Sequence, residues 1–381
     1  MKKSAMKMKK TFHAFEIVSL LLFAGYLVVP ATPLLAQERG QPVPASGAKP
    51  LTRVRFALAN PIINPGLSFV WIGSHFGWYQ REGIDLEIIR TQGPADATQR
   101  VAAGQVEFGL PPPAFYVASV ASGQDLGLVS VYLLRRQQQY SFAVLQDSPI
   151  KALKDLKGKK IGVSSLGDEG VTYVKATRRE LKLVDSELQM VPVGAAGAAT
   201  SSLQTGVVDV LALPGVQYAL VEGLGVKLRH LPQPAFAERV FGNEIVTRRD
   251  YVAKSPEVVK GLLKGFAMGS AFFVANPKAA IEISFKMFPE TVPKGMSLEE
   301  AVAGQVAALP PNIATLRFDN KPCKKWGCNS EEDWKAYIEY LGLDLSKTGD
   351  VKRFFTNEFI DYANSFDQKA IQDLARNFVL K

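Results

Sequence analysis

Cysteine and histidine are nearly missing from this chain. Cys323, Cys328 and three histidines are all that 381 residues contain. That supply is thin for a metal site, which wants several Cys or His ligands. It is equally thin for nucleophilic catalysis, because a Ser-His-Asp arrangement needs a histidine beside its nucleophile. His75 lies inside a helical stretch, where a half-buried structural role fits best, and His230 follows VKLR with no evident partner. No GxxxxGK[ST] phosphate loop occurs. No run of lysine and arginine marks a nucleic-acid groove. The net charge of +9 overstates the basicity, since Lys2, Lys3, Lys7, Lys9 and Lys10 against Glu16 supply nearly half of it from the first 36 residues.

Those residues read as a targeting segment. A lysine-rich start precedes the apolar run Ile17–Val29, and Leu34-Leu35-Ala36 places a small residue where a signal peptidase would cut. The competing reading is an uncleaved membrane anchor, but Pro30 and Pro33 interrupt the run. No cysteine follows it to accept a lipid. Residues 1–36 are therefore assigned as a signal peptide and the mature protein to the periplasm. Residues 37–52, rich in Pro, Gly and Ala, are a linker. In an oxidising compartment the pair in PCKKWGC is expected to form a disulfide, Cys323–Cys328. A metal site is the alternative, disfavoured by the missing ligands.

The rest of the chain is organised around Asn64–Leu86. Val54–Leu58 reads as a strand. Phe69, Ile72, Phe76 and Tyr79 then recur at helical spacing, Gly83 offers a left-handed stop, and Ile84, Leu86 and Ile88 alternate as in a strand. Strand, loop, helix, strand is the crossover unit of a parallel sheet, and ligands bind at the carboxyl edge of such sheets. Further strands are expected at Val106–Leu110, Leu126–Leu134 and Tyr140–Leu145, with a helix at Ala114–Ser122 after the triple proline. From Lys151 the pattern restarts. Strands are expected at Ile161–Ser164, Met190–Val193 and Val207–Leu213, separated by helices at Val171–Leu183 and Gly194–Leu203. VAAGQVEFGL around Gly104 and SLQTGVVDVL around Gly206 hint at an internal repeat. After Asn243 the chain turns mostly helical, with capped starts at Ser255, Ser297 and Ser330 and a last helix over Gln368–Leu380.

Three stretches carry a family resemblance: GWYQREGIDLEI at Gly77–Ile88, GQVEFG at Gly104–Gly109, and DSPIKALKDLKGKKIGV at Asp147–Val163. TNEFIDYANSFD at Thr356–Asp367 adds to them. In this order and spacing the chain resembles the extracytoplasmic substrate-binding proteins of ABC importers, of the nitrate/sulfonate/taurine type that also includes thiamine-precursor binders. The resemblance implies an α/β type II periplasmic-binding-protein fold, with two α/β lobes joined by two crossover strands and a ligand between them. Lobe 1 would comprise residues 53–141 with 246–381, and lobe 2 residues 142–245. It implies a small-molecule ligand, the membrane permease of an ABC importer as partner, a monomer, no cofactor and no enzymatic activity.

Strand ends and helix starts then define a candidate ligand site. Lobe 1 offers Asn60, Asn64, Ser68, Gly93, Pro112 and Pro113. Lobe 2 offers Ser164, Ser165, Asp168, Gly194, Pro214 and Gln217. Helix N-termini favour oxyanions, yet these loops hold no Lys or Arg, and Asp168 and Glu169 stand among them. Both acids suit helix capping. A neutral, zwitterionic or heterocyclic ligand is thus expected over a simple sulfonate or nitrate, unless Arg135 or Arg136 turns inward. Two other classes remain open. One is an enzyme of pyrimidine or thiamine-precursor metabolism; the fungal synthases that look like this family carry a cysteine-rich motif absent here. The other is a periplasmic sensory module. A LysR-type regulator shares the fold, but it would need a DNA-binding helix pair where the signal stands.

Overall fold

The computed structural model describes residues 50–318 and 323–380. The signal-peptide assignment and nearly all of the linker lie outside the described residues. Two five-stranded sheets dominate. The first contains β1 (Thr52–Leu58), β2 (Ile84–Arg90), β3 (Phe108–Gly109), β4 (Leu128–Leu133) and β10 (Glu244–Arg248), in the order β2-β1-β3-β10-β4. The second contains β5 (Tyr140–Leu145), β6 (Lys159–Val163), β7 (Leu188–Pro192), β8 (Val210–Pro214) and β9 (Leu228–His230), in the order β7-β6-β8-β5-β9. In each, three strands run parallel. The fourth in spatial order, β10 or β5, is antiparallel to its neighbours. The two sheets are thus one design used twice. Gly104 and Gly206, the glycines of the suspected repeat, both adopt φ near +70°, at 71° and 72°, which a side chain would resist.

The chain passes between the sheets after β4 and again after β9. The crossings are residues 134–139 and 231–243, just before the strands Tyr140–Leu145 and Glu244–Arg248. They are bonded to each other: Leu134 and Arg135 donate their amides to the Asn243 carbonyl, and Gly242 donates to that of Arg135. Tyr140 and Ser141 pair in the second sheet, whereas Glu244 and Ile245 pair in the first.

One expected element is broken. Instead of a single helix through Phe69–Tyr79 there is a 3-10 turn (Pro65–Val70) and two helical turns (Ile72–His75, Trp78–Arg81). Gly77 at φ 68° separates the last two. The apolar face is still right, since Phe69, Ile72 and Tyr79 are fully buried. These residues pack on the long helix Pro256–Ala275, where Gly261, Gly265 and Gly269 fall one turn apart. A Cβ on Gly269 would lie 2.2 Å from the Phe69 carbonyl oxygen, and one on Gly265 2.1 Å from the Tyr79 ring. The glycines are what allow the helix to approach so closely.

Three apolar clusters follow from this layering. One joins the first sheet to the long helix and the C-terminal helices. Another fills the far face of the second sheet. Between them a single cluster runs from Val117 of the first half through Phe142 and Tyr173 of the second, and takes in Trp334 and Tyr337 of the helix Glu331–Leu341. The two sheets therefore share a core. Cys323 and Cys328 form a disulfide. No group of three or more candidate metal ligands occurs among the described residues.

Candidate functional site

Most of the expected site residues fall at strand ends, as the crossover pattern requires. In the first half, Asn64 caps the Pro65–Val70 turn by accepting from the Gly66 amide, and Ser68 is fully buried with no hydrogen-bond partner for its hydroxyl. Asn60 is exposed, and its side chain accepts from the Ile62 amide. Its carbonyl accepts from Thr91, two residues before Gly93, which opens the helix Pro94–Ala102. Pro112 and Pro113 are buried at the start of the helix Pro113–Ala121. In the second half, Gln217 donates to the Ser164 hydroxyl at 3.2 Å, and the Gly194 amide donates to the Ser164 carbonyl. Pro214 ends β8, and Ser165 is exposed.

Asp168 has the expected capping role, accepting from the Gly170 amide at 2.8 Å at the start of the helix Glu169–Glu180. It also accepts from the Tyr140 hydroxyl at 3.0 Å. Glu169 does something the sequence did not reveal. Its Oε1 accepts from two phenols of the C-terminal half, Tyr340 at 2.9 Å and Tyr337 at 3.3 Å. The Ala114 amide, next to Pro113, also interacts with the Tyr337 hydroxyl. Tyr337 therefore stands between the start of a first-half helix and the start of a second-half helix, bringing Pro113 and Asp168 into one neighbourhood.

A second acid completes the group. Glu244 opens β10 beside the crossing and is 0% exposed. Its Oε1 accepts from Tyr116 at 3.1 Å, and its Oε2 has no partner. Both glutamates thus have one oxygen held by tyrosine and the other without a hydrogen bond among the described residues. Neither has an ion-pair partner there. Burial, reinforced by the nearby Asp168, pushes the Glu169 carboxyl up to about 7 against the opposing pull of the two phenols. Burial and the proximity of Glu169 drive Glu244 well above the usual carboxylate range. A buried carboxyl without a cation prefers its neutral form, and a neutral acid can donate as well as accept. Asp168 is raised by burial too.

Tyr140 links this group to a cavity of about 270 Å³ on the other side of β5, lined by Gln138, Ser141, Gly215, Tyr218, His230 and Thr315 among others. His230 sits edge-on to the Tyr218 ring. Pro311 and Thr315 of the short helix Pro310–Leu316 wall the cavity, and Pro311 packs against Gly215. The same helix holds the first half: Asn312 donates to the Gly66 carbonyl and accepts from Arg135, which also donates to Thr315. Arg135 is therefore turned inward but already engaged, and burial lowers its guanidinium to about 10. Arg136 is buried as well, with Tyr132 and Asp333 the nearby groups, and its Nε and Nη1 have no hydrogen-bond partner among the described residues. Neither arginine touches the carboxyl group. His75 packs against Phe76 and Phe378, and burial lowers its imidazole.

Two sheets of shared strand order, a core continuous across them and a polar site between them define a two-lobed periplasmic-binding-protein fold. The chain belongs to the NMT1/THI5-like family, whose model matches residues 64–280. It is 25% identical over 362 residues to the riboflavin-binding protein RibY of Chloroflexus aurantiacus, covering 90% of this chain and 95% of that protein. It is 23% identical over 336 residues to the 4-amino-5-hydroxymethyl-2-methylpyrimidine phosphate synthase of Legionella pneumophila, covering 82% and 94%. In structure it resembles the sulfonate ABC transporter periplasmic binding protein SsuA of Methylobacillus flagellatus, with a TM-score of 0.58, 17% identity and coverage of 82% and 94%. The tyrosines Tyr337 and Tyr340 lie beyond the matched family segment. A reading centred on strand ends had no signal for them except the apolar face of their helix.

Proposed function

We propose that this chain is an exported solute-binding protein that takes a small nitrogen heterocycle, bearing N–H donors, between its two lobes and delivers it to the permease of an ABC importer. The observation that carries this is Glu244. A fully buried carboxyl oxygen without a partner costs about 1–3 kcal/mol, and a ligand N–H placed there removes the cost. The free oxygen of Glu169 offers a second acceptor at the same place, and the surrounding tyrosines suit a flat ring. Ligand contacts are assigned to Glu169, Glu244, Asp168, Pro113, Ser164 and Gln217. Arg135 is already engaged by Asn312 and Thr315, whereas two nitrogens of the Arg136 guanidinium have no hydrogen bond among the described residues and would suit an anion, which is why the sulfonate and nitrate belong in the test. The names of two relatives, a riboflavin-binding protein and an aminopyrimidine phosphate synthase, point to a heterocycle.

Calorimetry with riboflavin, 4-amino-5-hydroxymethyl-2-methylpyrimidine, an alkanesulfonate and nitrate tests the reading. A heterocycle is expected to bind with a Kd of roughly 1 μM or tighter, and Glu244→Gln to weaken it at least about tenfold, or about 1.4 kcal/mol. Binding of the sulfonate or nitrate alone would overturn it. The second reading, an enzyme of pyrimidine-precursor metabolism, is favoured by the match over nearly the whole Legionella synthase. Conversion of the bound heterocycle would select it.

A further inference from the structure

The helix Glu331–Leu341 touches both halves of the molecule. Its start is anchored to the first sheet. Trp334 donates from its indole to Asn329, Ser130 of β4 donates to the same Asn329 oxygen, and Trp334 stacks on Phe354. Its end reaches the second half. Tyr337 stacks on Phe241 with ring centres 4.6 Å apart, and Tyr340 packs on Phe236 at 5.1 Å. Arg179 donates to the Tyr340 carbonyl, and Glu339 pairs with Arg239. The two phenols converge on a single oxygen of Glu169.

We propose that Tyr337 and Tyr340 are positioning residues for Glu169: they hold its Oε1 so that Oε2 faces the space between the lobes, and in doing so they strap the second lobe to a helix anchored on the first. This rests on the proposed function only for what Glu169 is positioned to do; the strap itself does not depend on a ligand. A glutamate at the first position of a helix is otherwise free to rotate toward solvent or toward its own helix amides. Two donors on one oxygen remove that freedom. The two crossings joining the sheets are covalent, and this helix is a noncovalent connection beside that of the helix Pro310–Leu316. Opening the lobes must therefore break the phenol bonds as well as bend the crossings.

The double variant Tyr337→Phe/Tyr340→Phe tests this, because it keeps both rings and removes only the hydroxyls. Besides the two phenols themselves, the ionisable groups facing Glu169 are Asp168, Glu244 and Tyr140. These remain in the variant. With 13C-labelled glutamate, the Glu169 carboxyl is expected to titrate at least half a pH unit higher in the ligand-free variant, since hydrogen bonds to the charged form favour it. Amide exchange over residues 169–173 is expected to speed up about tenfold or more as the strap loosens. A merely structural role for the rings would move neither reading. An unchanged titration with exchange within twofold of wild type overturns the proposal. Failure of every heterocycle to bind the wild-type protein would overturn the functional reading and leave this result intact.

Discussion

The two sheets have the same strand order but are covered in different ways. The first is faced by the helix Pro256–Ala275, of whose residues many are fully buried, and by the C-terminal helices packed on it. Asn276 ties the last helix back by donating to the Ala375 carbonyl. The second sheet carries its own short helices, Ala196–Gln204 and Gly215–Gly223, over a smaller cluster. The lesson lies in the glycines. On the long helix of the first half, Gly265 and Gly269 sit where the helix meets the Tyr79 ring and the Phe69 backbone. In the second half Gly223 has nothing within 4 Å of where a Cβ would be. The helix Gly215–Gly223 is close-packed at its start, where a Cβ on Gly215 would lie 2.5 Å from Pro311, and open at its end.

The largest effect expected from that difference is at Gly269. Gly269→Ala places a methyl 2.2 Å from a backbone carbonyl oxygen that cannot rotate away. Overpacking of this kind costs about 1–3 kcal/mol and more where backbone must shift, so a loss of about 3 kcal/mol in urea unfolding is expected. Gly265→Ala meets the Tyr79 ring, whose hydroxyl is fixed on the Val70 carbonyl at 2.6 Å, and should cost nearly as much. If both variants unfold at the wild-type midpoint, the close-approach account of the first half is wrong.

Two acids, one in each half, respond to pH with opposite sign. Asp125, in the first, is held well below the usual carboxylate range by Arg249, with help from the Gly127 amide and Arg353. Its contribution is present above the unfolded value near 3.8 and is lost as pH falls through the depressed folded value. Part of the cluster is open to water, so under about 1 kcal/mol is at stake. Glu169 has the opposite sign. Its folded value is raised to about 7 from 4.5, so the folded state binds more protons than the unfolded one between those values. Its favourable contribution is complete below about pH 4.5 and is lost as pH rises through 7. A shift of this size corresponds to about 3 kcal/mol over the whole window. Chemical unfolding at pH 5 and pH 7.5 should show the protein less stable at the higher pH, and Glu169→Gln should flatten that slope. A slope unchanged in the variant would remove Glu169 as its cause.

How far the sequence could be read follows from the same contrast. The strands and the parallel pairing of β1 and β2 were legible because β1 and β2 alternate, Gly83 stops the helix before β2, and β8 runs apolar to Pro214. The capping role of Asp168 was legible because it is local. The break at Gly77 was not, because a period of three and four persists across short helical turns that a left-handed glycine separates. Nor was the pairing of Glu169 with Tyr337 and Tyr340, which joins residues 168 and 171 positions apart. Glu244 looked like any strand-flanking acid. Its burial depends on Tyr116 and on a core continuous between the halves, and no local pattern encodes either. Short-range rules placed Glu169 in a site loop as a capping acid but gave no sign of its phenol partners or of the buried Glu244.

The smallest effect separates a close-packed helix glycine from an open one. Gly223 ends the helix Gly215–Gly223 with ordinary right-handed backbone, being absent from the residues of positive φ, and is exposed. Alanine there meets no atom. It loses less conformational freedom on folding than glycine does, and the gain at a compatible site is about 0.4–1 kcal/mol. Fraying of a last turn places this position at the low end, near 0.5 kcal/mol, read as a small rise in melting temperature. Gly223→Ala should therefore stabilise the protein where Gly269→Ala destabilises it, with the same methyl added to a helix in each case. A loss of stability at Gly223 would mean that the end of this helix is packed as closely as its start at Gly215.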